Sequence, residues 1–173
     1  KPPPTISLPR RVLFLFASII LFVLVFHSYI ASLNMWRGEQ YLMNQKYAES
    51  IRAFKKAALL SPREAKIYSV LGWLYTRAGR QDLAVQAYKK ALALDPRDSE
   101  SQFELGMVFF KQKRFGKALK NFEKAVAYDA DNFTAHVMVA LSWERKGDLD
   151  RAIQEWKKIK VRFPEAKNAQ AQI

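Results

Sequence analysis

The hydrophobic pattern of the chain changes character near residue 31. Residues 12–33 form an apolar run that carries no formal charge and shows no polar stripe. Further along, apolar residues return at the three- and four-residue spacing of one helix face, with polar residues between them. The pattern predicts an all-α chain, in which one long apolar helix precedes a series of short amphipathic helices.

The amphipathic part repeats itself with a period of 34 residues. The clearest copy is the segment LGWLY at 71–75, which is followed by Ala84, Tyr88, Ala91 and Pro96. The next copy is LGMVF at 105–109, which is followed by Ala118, Phe122, Ala125 and Asp129. Weaker copies flank these two, with Gly38, Tyr41, Phe54, Ala57 and Pro62 upstream and VALSW at 139–143, Ala152, Trp156, Ile159 and Pro164 downstream. A fixed period of this length indicates an α-solenoid of stacked helix–turn–helix units.

The repeat predicts the organisation of the chain. We expect a proline-rich polar tail at residues 1–11, a membrane-spanning helix at 12–33, a solenoid at 31–166 and a C-terminal tail at 167–173. The solenoid would contain four units, at 31–64, 65–98, 99–132 and 133–166. Because the first residue is Lys rather than Met, we also expect further sequence before it.

Breaks between helices have recognisable causes. Gly79 and Gly147 occupy corresponding turn positions, and prolines close the first, second and fourth units, where they prevent the helix from continuing. Small residues at one position of each first helix, namely Gly38, Gly72, Gly106 and Ala140, indicate where that helix approaches its partner closely.

These residues resemble those of the tetratricopeptide repeat family over 31–166. The two middle units match closely, whereas the outer units depart from the pattern at Arg37, Ser50, Ala140 and Ile159. The resemblance implies a non-enzymatic protein whose first helices line a concave groove that binds a segment of a partner. The Lys/Asn/Arg set with which some members clamp a chaperone C-terminus is absent.

Matched repeat by repeat, the resemblance assigns nine residues to this groove. They are Lys66, Trp73, Arg77, Phe103, Met107, Phe110, Lys111, Leu141 and Arg145. Aromatic and methionine side chains surrounded by cations suit an amphipathic or acidic-apolar segment. The alternative is that Trp73 and Phe103 are buried between neighbouring units.

The apolar run at 12–33 is long enough to cross a bilayer. A cleaved signal peptide is the alternative, because Arg10 and Arg11 precede the run. This pair favours a cytoplasmic N-terminus and an exported solenoid, with the reverse orientation open. No proline or glycine lies between Val12 and Arg37, which predicts one unbroken helix from about residue 12 to about residue 44.

Composition narrows the possible chemistry. The chain has no cysteine, and 29 basic against 16 acidic residues give it a net charge of +13. Lysines recur at 34-residue intervals, at Lys56, Lys90, Lys124 and Lys158. They are interpreted as a charged face that keeps the solenoid soluble, with contact to a membrane or an acidic partner as the alternative. No enzyme signature, phosphate loop or paired-histidine metal motif is recognisable. We expect His136 to be a packed imidazole, and His27 is a weak candidate for a cofactor ligand.

We therefore expect a membrane-anchored scaffold or adaptor that binds proteins and needs no cofactor, nucleic acid or small-molecule substrate. An accessory or assembly subunit of a large respiratory, photosynthetic or secretion complex is the alternative. An electron-transfer subunit that uses His27 is a third. The last nine residues are short for a capping helix, so the apolar edge of the fourth unit is a further candidate interface.

Overall fold

Eight helices make up the part of the chain that the computed structural model describes, residues 10–164, and no strand occurs within it. In order they are α1 (Arg10–Met43), α2 (Tyr47–Leu60), α3 (Ala65–Arg77), α4 (Gln81–Leu94), α5 (Ser99–Lys111), α6 (Phe115–Tyr128), α7 (Phe133–Arg145) and α8 (Leu149–Arg162). They divide into two compact units, one with α1 and α2 and the other with α3 through α8. Residues 1–9 of the tail predicted at 1–11 lie outside the described part, as do the last nine residues with the tail predicted at 167–173. Residues 10 and 11 of the predicted tail belong to α1.

The sequence period reappears in the helix boundaries. Helices α3, α5 and α7 begin at residues 65, 99 and 133 and are each 13 residues long. Helices α2, α4, α6 and α8 begin at 47, 81, 115 and 149 and are each 14 residues long. The predicted all-α class with helix–turn–helix repeats is therefore confirmed. Helix α1 runs for 34 residues without a break, which confirms the uninterrupted helix.

The four turns inside the helix pairs share one backbone conformation. Gly79 and Gly147 have φ angles of 71° and 84°, and Gln45 and Lys113 adopt 57° and 58° at the equivalent positions. Glycine enters this left-handed region without strain, whereas residues with a Cβ do so at a free-energy cost. Residue type marks only the two turns that contain glycine, and the 34-residue spacing places the other two.

Proline and capping side chains end the units. Helices α2, α4 and α8 each stop two residues before Pro62, Pro96 or Pro164. In the third unit, which lacks the proline, the Asn132 side chain accepts a hydrogen bond of 2.9 Å from the backbone N–H of Ala135 and caps α7. Asp98 caps α5 in the same way after Pro96, so the side-chain cap accompanies this boundary with or without the proline.

The core of each helix pair depends on an aromatic ring that lies against a glycine. A Cβ added to Gly72 would lie 2.7 Å from Cδ1 of Tyr88, and one added to Gly106 would lie 2.6 Å from Cε1 of Phe122. Tyr88 and Phe122 are almost fully buried. In the last pair, Ala140 replaces the glycine and Trp156 is only half-buried. The glycine is therefore required by close approach and not by backbone conformation.

The first pair contains the same contact and one polar addition. Phe54 is fully buried and would lie 2.6 Å from a Cβ on Gly38. Ser50 stands where the repeat usually has alanine, and its buried hydroxyl donates a 2.8 Å hydrogen bond to the carbonyl of Gly38. Because a buried hydroxyl with a partner is tolerated, this departure from the repeat pattern preserves the packing of α1 on α2.

We predict that Gly106→Ala lowers the free energy of unfolding by about 1–3 kcal/mol, because the new methyl group must displace the Phe122 ring. Gly116→Ala is the matched control. Gly116 lies in α6 with nothing within 4 Å of its missing Cβ. This control should be neutral or more stable by up to ~1 kcal/mol. Urea unfolding followed by circular dichroism measures both; equal losses would contradict the close-packing account.

Candidate protein-binding groove

The nine residues assigned to the groove lie on the first helices α3, α5 and α7 of the second unit. Other side chains of these helices are buried in the core, such as Leu71 and Leu74 on α3 and Val108 on α5. The charged members are exposed, namely Lys66, Arg77, Lys111 and Arg145. The apolar members are half-buried, namely Trp73, Phe103, Met107, Phe110 and Leu141. The surface thus has partly accessible apolar side chains with cations around them.

Trp73 and Arg77 form a contact on α3. The Arg77 guanidinium carbon lies 5.0 Å from the centroid of the indole ring, which is within cation–π range. The two residues are four apart and therefore share one face of the helix. The contact restricts both side chains before any partner arrives, which lowers the entropy that binding must overcome.

Phe103 and Phe110 on α5 pack against aromatic rings of α6, the second helix of their own pair. Their ring centroids lie 5.6 Å and 6.4 Å from that of Phe122, and Phe110 also meets the edge of Phe115 at 5.2 Å. The sequence left open that Trp73 and Phe103 are buried between neighbouring units. Both side chains are half-buried, and the ring contact observed for Phe103 is with Phe122 of its own helix pair.

A half-buried carboxylate lies among the groove cations. Burial raises the pKa of Glu104, and the neighbouring Glu100 raises it further, whereas Lys111 and Arg77 act to lower it. Burial, with Glu104 and Glu100, also raises the pKa of the Tyr88 hydroxyl. The sequence analysis assigned cations to this surface but did not predict the raised pKa of Glu104. The surface carries charges of both signs.

The periodic lysines occupy exposed positions on the second helices but have different surroundings. The Lys90 ammonium lies 5.6 Å from the Tyr68 ring centroid, and that of Lys158 pairs with Glu155 at 2.7 Å. Lys56 lines a pocket with Arg37, Arg52 and Glu49. Lys124 lines a separate cleft in the second unit. Equal spacing therefore does not give these lysines a common environment.

Neither histidine belongs to a cluster of metal ligands in the described part of the chain. His136 is half-buried, as predicted; its Nε2 lies 3.0 Å from the carbonyl of Ala130 and its ring packs against Phe163. His27 is exposed on α1, and its Nδ1 lies 3.0 Å from the carbonyl of Val23. No group of three or more His, Cys, Asp or Glu residues occurs within 10–164.

The apolar side chains in the first half of α1 are exposed in this structure. Its large apolar side chains from Leu13 to Tyr29 are 44–73% exposed. The most apolar 18-residue window has a mean hydropathy of 2.4, and none of it is buried. Length and composition permit this helix to cross a membrane, and a signal sequence has the same properties.

Comparisons with known proteins agree with the helical architecture. Two sequence models of the tetratricopeptide repeat match the chain, over residues 29–97 and 103–167. A search of the curated proteins gives no significant match.

Solved structures with the same fold include those of MamA. A crystal structure of MamA has a TM-score of 0.74 at 24% identity, covering 83% of this chain and 77% of MamA. MamA AMB-1 gives 0.71 at 23% identity, with 78% and 73% covered, and a MamA RS-1 double mutant gives 0.71 at 19%, with 81% and 76% covered. At these identities the likeness establishes the fold.

The raised pKa of Glu104 predicts a pH-dependent stability. A carboxyl group that binds its proton more tightly in the folded state adds stability below its ordinary pKa, and this contribution is lost as the pH rises through the raised value. Glu104→Gln should therefore be more stable than the parent chain at neutral pH, with the difference shrinking toward pH ~4. Thermal unfolding at a series of pH values measures the difference.

The double variant Arg77→Gln/Lys111→Gln supplies the control for this prediction. It removes the two cations that lower the pKa of Glu104, so the pH dependence should become steeper than in the parent chain. A Glu104→Gln variant whose stability difference is the same at every pH would contradict the assignment.

Proposed function

Since the chain belongs to the tetratricopeptide repeat family, we propose that it is a non-enzymatic, membrane-anchored scaffold that binds a partner segment in the groove of α3, α5 and α7. The observation that carries the proposal is the row of half-buried apolar side chains on the first helices. Trp73, Met107 and Leu141 occupy the same position in three successive repeats. They rest on rigid helices and retain exposed surface that a partner would bury.

The charges around this row favour an amphipathic segment. Arg77, Lys111 and Arg145 stand in the last turns of their helices and offer contacts to carboxylates. Glu104 stands among them and offers a contact to a cation. A segment with apolar anchors and charges of both signs suits this surface better than a uniformly acidic one.

The membrane part of the proposal rests on α1. Its apolar half is left uncovered by residues 10–164, and hydrocarbon would cover it without loss of backbone hydrogen bonds. The helix then continues without a break to Met43, where its C-terminal half packs with α2 through Gly38 and Phe54. The first helix pair would lie close to the bilayer, and partners that are subunits of a membrane complex would be within reach. We favour a cytoplasmic N-terminus and an exported solenoid.

Replacement of groove anchors tests the binding proposal. We predict that Trp73→Ala/Phe110→Ala reduces recovery of copurifying partners at least about tenfold, because the two rings supply buried apolar area at the interface. Affinity purification of the tagged full chain from gently solubilised membranes, with quantitative mass spectrometry, measures recovery. The control is Leu83→Ala/Ile153→Ala, which removes exposed apolar side chains from the second helices α4 and α8.

Phe110 also contributes to the α5–α6 core, so the groove variant must be shown to be folded by its helical circular dichroism. A second groove variant, Arg77→Gln/Lys111→Gln, leaves every aromatic contact between rings in place. Unchanged recovery in both variants, when both are folded, would overturn the groove proposal.

The anchor proposal predicts that one polypeptide retains tags placed at both ends and resists extraction from membranes by alkaline carbonate. A cleaved signal sequence would instead separate the two tags.

The orientation of the solenoid needs a separate test. Because the chain has no cysteine, Lys157→Cys on the exposed side of α8 provides a single labelling site. In intact cells, a maleimide that cannot cross the membrane holding α1 should label it if the solenoid is exported. Labelling only after lysis would reverse the orientation.

A further inference from the structure

A lysine-lined cleft opens in the second unit on a different face of α5 from the groove. Its cavity volume is about 490 Å³, and it is lined by residues of α4, α5 and α6 and the connection between α4 and α5. Its four lysines are Lys89 on α4 and Lys117, Lys120 and Lys124 on α6. The three on α6 are spaced three and four residues apart and therefore occupy one side of that helix. We call this site the lysine cleft.

Both apolar and polar side chains form the floor of the lysine cleft. Leu105 and Phe109 are buried on α5, and Leu92 on α4 is half-buried. Gln102, which is 3% exposed, also lines the cleft. Its amide nitrogen donates a long 3.4 Å hydrogen bond to the carbonyl of Pro96. Its Oε1 has no hydrogen-bond partner in the described part of the chain.

The charge of the lysine cleft is not neutralised from within. None of the described residues that line it is acidic. Elsewhere in the same unit, cations have carboxylate partners: Arg151 pairs with Asp148 at 3.2 Å, and Arg162 pairs with Asp131 at 3.0 Å. Lys117 lies 5.8 Å from the Phe109 ring centroid, but no described lining residue offers a carboxylate to the four exposed ammonium groups. An anionic occupant would supply the missing opposite charge.

We propose that the lysine cleft is a second docking site, which binds an acidic segment of a partner protein with an apolar side chain at its centre. Carboxylates of the segment would meet the four ammonium groups, and the apolar side chain would lie on Leu105 and Phe109. Inorganic phosphate would meet the ammonium groups but brings no apolar group for the floor of the cleft. The concave, partly apolar floor fits a protruding side chain better than the flat surface of a lipid bilayer.

This site goes beyond the proposed groove in position and in chemistry. On α5, the groove uses Phe103, Met107 and Phe110, whereas the cleft uses Gln102, Leu105 and Phe109. The two sets lie on separate faces of one helix. Groove cations are accompanied by Glu104, and cleft cations have no such companion. One scaffold would thus engage two segments of different charge.

A direct binding measurement tests the proposal. The full chain in neutral detergent is titrated into a dye-labelled peptide of glutamate pairs that flank single leucines, and fluorescence anisotropy gives Kd. The matched peptide has glutamine in place of glutamate. We expect binding of the acidic peptide only, with an affinity that falls as salt rises. Lys120→Glu/Lys124→Glu should weaken binding at least about tenfold, because it replaces two attractions by repulsions.

The control variant Lys157→Glu/Lys160→Glu makes the same change in net charge on exposed positions of α8 and should bind like the parent chain. Trp73→Ala/Phe110→Ala should also keep the peptide, which separates this site from the groove. Equal weakening by both charge-reversal pairs, or equal binding of the two peptides, would overturn the proposal. Anionic vesicles or inorganic phosphate that bind through Lys120 and Lys124 while the peptide does not would overturn it as well.

Charge reversal in the cleft relieves repulsion among the lysines, so Lys120→Glu/Lys124→Glu should fold at least as stably as the parent chain. Loss of peptide binding in this variant would then report on recognition.

Discussion

The contact of an aromatic ring with a helical glycine is the constraint on which the helix pairs depend. Phe54, Tyr88 and Phe122 are buried against Gly38, Gly72 and Gly106, at distances that leave no room for a Cβ. The ring therefore sets how closely the two helices of a pair approach, and the pair sets which faces remain for other contacts. Where Ala140 replaces the glycine, the aromatic residue at the equivalent position, Trp156, is less deeply buried.

Because this contact recurs at 34-residue intervals, the residue types at equivalent groove positions of different repeats can be compared. Position by position, Trp73, Met107 and Leu141 are all apolar but differ in size and shape. Arg77, Lys111 and Arg145 keep a cation, and the negative end of the helix dipole favours a cation in the last turn whatever the partner. The apolar row is therefore the better indicator of specificity, and the cations partly serve the fold.

The sequence predicted what depends on spacing along the chain, and it missed what depends on packing between elements. The period, the helix pairs, the unbroken α1 and the closing prolines could be read because each has a local cause. The left-handed turns at Gln45 and Lys113 are not marked by residue type, and only their 34-residue spacing from Gly79 places them. The lysine cleft could not be foreseen. It brings Lys89 together with Lys117 and Lys120, and this spacing is unrelated to the period.

The packing between helices also explains how a chain with excess positive charge can select where an acidic partner binds. Three of the four lysines at 34-residue spacing have a ring or a carboxylate nearby: Lys90 faces Tyr68, Lys158 pairs with Glu155, and Lys56 shares a pocket with Glu49. Only Lys124 joins a group of cations without a lining acid, within the described residues of the cleft. Net charge attracts acidic partners to the whole surface, whereas uncompensated charge over an apolar floor retains them at one place.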